Sequence, residues 1–124
     1  MREIVFCTTC RFSGADGVGP DGRTGGEMLA AEMESLLSEG GRRDVKVARQ
    51  ACLWSCLRHC NVLFRDEARY SFVAGDLRPS RETAEAMLAW FDLHGESETG
   101  EVPFRRWPQA MRGHFIARIP PVRP

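Results

Sequence analysis

Two tight groups of cysteines limit what this chain can be more than any other feature. Cys7 and Cys10 close an apolar N-terminal run, while Cys52, Cys56 and Cys60 fall within nine residues. Groups so far apart in sequence imply two loops that meet on one object. Five is an odd count, so full disulfide pairing within a monomer is excluded. No apolar run approaches the ~20 residues of a membrane-spanning helix. The stretch Met1 to Cys7 is too short to be a signal peptide. The expected location is therefore cytoplasmic, where clustered cysteines bind metal or do redox work more often than they pair.

A chain of 124 residues is one domain, able to bury roughly two-thirds of its unfolded surface without staples. Its 17 basic and 17 acidic residues cancel, which argues against a nucleic-acid partner, since such proteins carry a basic excess. Lys46 is the only lysine, and the preference for arginine reads as a compositional bias.

Ile4-Val5-Phe6 predicts a strand that delivers the Cys7-Thr8-Thr9-Cys10 loop from its end. Strand ends are where open α/β sheets assemble sites. Arg11 to Gly26 reads as a glycine-rich loop, without the lysine and hydroxyl of a phosphate-binding loop. Leu29, Met33, Leu36 and Leu37 form one apolar stripe and predict a helix from Gly26 to Ser38, with a capping box at Thr24 and Glu27 and a stop at Gly40-Gly41. Met28 and Met33 read as core filler. Val45 to Ala51 alternates as a half-buried strand and ends at Cys52. A right-handed βαβ crossover would then bring both cysteine loops to one edge of the sheet.

Asn61 to Arg65 and Arg69 to Val73 predict an antiparallel hairpin, and Gly75-Asp76 turns the chain. A second helix is expected from Pro79 or Ser80 to Leu93, buried through Ala84, Met87, Leu88 and Phe91 and closed by Gly95. From Glu96 the chain turns polar and then proline-rich. A short helix around Gln109 to Phe115 is one option there. The segment's aromatics (Phe104, Trp107, Phe115) either pack on the domain or dock a partner.

Four thiolates from two loops suit a tetrahedral zinc or an iron–sulfur cluster, and spacing alone leaves the two level. Cys7-Thr8-Thr9-Cys10 after a strand also has the look of a dithiol active site. No helix start follows it in sequence to lower a thiol pKa, which counts against that reading. His59 as a ligand would need a second histidine nearby, and His94 and His114 lie in unrelated segments. His59 is therefore expected to be exposed or to sit just outside the ligand shell. No general acid, nucleophile or substrate pocket is suggested by the sequence, so a carrier is expected and not an enzyme.

The order of these elements, with Cys52-Leu53-Trp54-Ser55-Cys56 after a strand and Gly75-Asp76-Leu77-Arg78-Pro79 before a helix, resembles the thioredoxin-like [2Fe–2S] ferredoxins. Cys7-Thr8-Thr9-Cys10-Arg11, Cys52-x3-Cys56-x3-Cys60 and the ending Ile116-Ala117-Arg118-Ile119-Pro120-Pro121 more closely resemble the DUF1636 family of predicted metal-binding proteins. Some members occur beside cobalamin-biosynthesis genes. The resemblance implies a thioredoxin-like α/β fold (βαβ then ββα) with a Pro-rich C-terminal arm. Residues 1–95 would be the ferredoxin domain and residues 96–124 the extension. It further implies a [2Fe–2S] electron carrier with ligands Cys7, Cys10, Cys52 and Cys56, Cys60 being the alternate ligand. Such a carrier would serve a reductase and an acceptor enzyme, with cobalamin biosynthesis as a setting and a homodimer as an option. The alternative is a zinc- or cobalt-binding protein without a redox role.

Overall fold

Alternation along the short β-rich runs sorts their side chains between two faces. In a computed structural model of the chain, which describes residues 2–9, 16–51, 53 and 59–121, those runs form one mixed sheet. Strand β1 (Arg2–Cys7) lies inside it. Strand β2 (Val45–Gln50) runs parallel to β1, with Ile4 opposite Val47 and Cys7 opposite Gln50. On the other side β3 (Val62–Arg65) is antiparallel to β1, then β4 (Ser71–Ala74) to β3, and β5 (Phe115–Ile119) to β4. The spatial order is β2-β1-β3-β4-β5.

Helix α1 (Gly25–Glu39) connects β1 to β2, and α2 (Arg81–Glu96) follows β4. Thr24 and Glu27 form the expected capping box: the Thr24 hydroxyl accepts from the Glu27 N–H and the Glu27 carboxylate accepts from the Thr24 N–H. Gly40 caps the other end, and Gly41 takes the left-handed conformation that lets the chain leave. Ser80 caps α2 by accepting from the Thr83 N–H. Leu29, Met33 and Leu37 of α1 and Ala84, Met87, Leu88 and Phe91 of α2 are buried, as their periodicity predicts. They share one core with Ile4, Phe6, Val62, Phe64, Phe72 and Ala74, so both helices cover the same face of the sheet.

Three expectations change. Gly95 does not close α2, which runs on to Glu96 and is capped by Ser97. A Cβ on Gly95 would stand 2.8 Å from the Arg2 guanidinium carbon, so this glycine makes room for a side chain. The stretch from Gln109 is a single 3-10 turn, Gln109–Met111, and not a helix to Phe115. The proline-rich segment is also more than an arm, because Phe115–Ile119 adds a fifth strand to the sheet. Trp90, Phe72 and Trp107 ring Phe115 at centroid distances of 4.6, 5.6 and 4.9 Å. The Trp107 indole N–H donates to the Val102 carbonyl.

Candidate functional site

The C-terminal ends of β1, β2 and β4, the N-terminal end of β3 and the starts of both helices all fall at one edge of the sheet. Parallel pairing of β1 with β2 puts their exits side by side, and the ladder continues past the strands. The Thr8 N–H donates to the Gln50 carbonyl at 2.9 Å, and the Thr9 hydroxyl donates to the Ala51 carbonyl. The first cysteine loop is thus bonded to the entrance of the second. Cys7 is buried, its sulfur 3.7 Å from the Thr9 hydroxyl and 3.9 Å from the Ala51 carbonyl. Its own N–H donates to the Asn61 carbonyl, which ties it to the residue after Cys60.

Cys60 is at the same edge but in a different setting. It is fully buried and packs in the core beneath the helices, whereas alternation along β1 puts Cys7 with Val5 on the opposite face. Cys60 also holds a φ of 50°, which costs energy for a residue with a side chain. Cys10, Cys52 and Cys56 lie outside the described residues. Among the described residues no three His, Cys, Asp or Glu side chains form a group able to hold a metal ion.

Two expectations about this edge need correction. A helix start does stand beside Cys7, although the intervening loop is long. Gly26 of α1 packs so closely on the Cys7–Thr8 peptide that a Cβ there would overlap the Cys7 carbonyl, and the Thr24 hydroxyl donates to the Thr8 carbonyl at 2.6 Å. The Gly25-Gly26 pair was the signal: at the start of a helix two such poor helix formers mark a close backbone approach. The histidines are also not all unrelated. His59 and His114 line one cavity of 760 Å³ at this edge, although 55 positions separate them in sequence.

No motif or spacing in the chain pointed to this cavity. His59 is half-buried, its Nδ1 lying 3.4 Å from the Asp76 carboxylate. His114 Nδ1 lies 3.0 Å from the Gly75 carbonyl, and the Gly75 N–H donates back to the His114 carbonyl. Asp76, with a φ of 58°, donates its N–H to the His59 carbonyl at 2.7 Å. His94 is elsewhere, buried in the core near the far end of β1 with Nε2 2.7 Å from the Tyr70 carbonyl. Met28, expected in the core, lines the cavity instead, whereas Met33 is fully buried.

These features define a small mixed α/β protein that brings cysteine-bearing segments to one sheet edge beside a half-open cavity. The chain belongs to the DUF1636 family, described as a protein of unknown function, which matches residues 4–121. Comparisons with curated proteins and with solved structures give no match. No helix among the described residues is long and apolar enough to cross a membrane.

Proposed function

We propose that the protein is an electron carrier whose cysteines hold a [2Fe–2S] cluster at this sheet edge. The observation that carries the reading is the bonded contact between the two cysteine segments. Thr8 and Thr9 are tied to Gln50 and Ala51, the residues that lead into Cys52. Thiolates are the usual ligands of such a cluster, so the donor set fits. When bound, the cluster would supply one-electron transfer.

The ligands in this reading are Cys7, Cys10, Cys52 and Cys56. Packing of Cys60 in the helix-side core, away from the face of Cys7, supports leaving it as the alternate. The buried position of Cys7 shields its sulfur from water, and the positive end of the α1 dipole lies at the Cys7–Thr8 peptide, where it favours negative charge. The order β2-β1-β3-β4, with β1 and β2 paired in parallel and β3 antiparallel to both its neighbours, supports a thioredoxin-like arrangement. Its partners would be a reductase and an acceptor enzyme, and it could work as a homodimer in the cytoplasm.

An absorption spectrum of protein purified without oxygen tests the reading. A brown protein whose visible bands bleach with dithionite is expected. A colourless protein with one stoichiometric zinc would overturn it in favour of a metal-handling role. Cys52→Ser and Cys56→Ser should each abolish cluster loading, while Cys60→Ser should retain most of it. Equal loss in all three would make Cys60 a ligand.

A further inference from the structure

We propose that the surface formed by the 3-10 turn Phe104–Arg106 together with Arg112 docks an acidic patch on a partner protein, with the Phe104 ring as its apolar anchor. This goes beyond the electron-carrier reading and does not depend on it. The charge of the chain balances only in sum. After Glu101 come five arginines and no acidic residue, although the chain has 17 residues of each sign. A basic segment is thus laid on a body that is acidic on balance.

The fold gathers part of that charge around one exposed ring. Arg105 and Arg106 are exposed in the same turn as Phe104, and the Arg112 guanidinium carbon stands 4.7 Å from the Phe104 ring centroid. None of these three arginines meets a carboxylate among the described residues. Arg23, Arg42, Arg49, Arg81 and Arg118, by contrast, are each paired with an Asp or Glu. Phe104 is 58% exposed, more than any other large apolar side chain described. It is nevertheless fixed from beneath. Its ring lies 5.0 Å from that of Trp107, which packs on Phe115 at 4.9 Å and donates its indole N–H to the Val102 carbonyl. A preformed surface of this kind loses little freedom on docking, and arginine with aromatic rings is the composition that protein interfaces favour.

Charge decides the class of partner. A long polyanion such as a nucleic acid would run off the turn onto the acidic body and be repelled there. Insertion into a lipid surface needs a broad apolar face, whereas a single ring projects here and Trp107 is already packed inward. A compact acidic patch fits both demands. Its carboxylates accept the forked N–H groups of arginine, and an apolar side chain beside them covers the ring. The opposed charges of segment and body also orient the approach of such a partner. Arg112 stands two residues before His114, which is bonded to Gly75, so the partner would dock next to the edge where the cysteine segments meet.

The test follows a fluorescently labelled octapeptide of alternating glutamate and leucine by anisotropy, on the full chain purified without oxygen. Binding should occur at low salt and weaken as salt rises. Joint replacement Arg105→Glu and Arg106→Glu should weaken it about tenfold. Joint replacement Arg43→Glu and Lys46→Glu changes the net charge equally at exposed residues elsewhere and should leave binding unchanged. Both variants should give the wild-type circular dichroism spectrum. Phe104→Ser should weaken the peptide about fivefold and leave an all-glutamate octapeptide unaffected. No binding at low salt, equal losses in the two charge variants, or tighter binding of a short oligothymidylate or of phosphatidylserine vesicles would overturn the proposal.

Discussion

Gly26 occupies a helical position where alanine would ordinarily stabilise by about 1 kcal/mol. Here the added methyl would overlap the Cys7 carbonyl, and backbone cannot swing aside as a side chain can. Overpacking of this kind costs about 1–3 kcal/mol, so the clash outweighs the propensity gain. Gly26→Ala should therefore lower the urea midpoint of unfolding, and an unchanged or raised midpoint would show that α1 does not rest on the Cys7–Thr8 peptide. His94 offers a second test. Its burial, foremost, holds the imidazole pKa below the ordinary 6.5, with the nearby Arg2 guanidinium acting in the same direction and the Tyr70 carbonyl opposing both. The native state then binds fewer protons than the unfolded chain. The associated stability is complete above pH ~6.5 and is lost as pH falls below that value toward the native pKa. Urea midpoints should drop between pH 7.5 and pH 5.5, and His94→Gln should flatten that slope. The carboxylate of Asp44, held down to about 2 chiefly by its hydrogen bond with Arg42, stays ionised across this window and does not obscure the result.

Strand β5 shows how an element can escape its own sequence. Phe115-Ile116-Ala117-Arg118-Ile119 has no clean alternation, and four of its five residues are exposed. A register shift between Val73 and Ala74 adds an irregularity to its pairing. What holds the strand is the ladder to β4 together with one anchor, Phe115, packed against Trp90, Phe72 and Trp107. Phe115→Ala should thus destabilise the whole domain by roughly 2–4 kcal/mol, read from the urea midpoint, with a cooperative transition preserved. A loss below 0.5 kcal/mol would mean that the strand is a detachable arm. The two helices are the opposite case. Their stripes, the Thr24 box and the Ser80 cap are local features, and the chain shows them within a few residues of where the structure has them.

At the scale of the whole molecule, the topology turns separate sequence features into neighbours. Parallel β1 and β2 bring the exit of the Cys7 segment next to the entrance of the Cys52 segment, as the crossover rule predicts. The return of β4 beside β3 then carries Gly75 and Asp76 to His59, and β5 carries His114 to Gly75.

The sequence by itself determined the mixed α/β class, the two helices with their N-caps, four of the five strands and the placing of the β1 and β2 exits at one edge. Each of these follows from periodicity, capping chemistry or the handedness of a single crossover, all of which act over short stretches of chain. Only the tertiary structure decided that Cys60 packs in the helix-side core, that Gly26 rests on the Cys7 carbonyl, that β5 completes the sheet and that His59 and His114 share a cavity. Those facts depend on contacts between residues far apart in sequence. No local pattern names the partner in any of them, because each contact exists only once the sheet has set its neighbours.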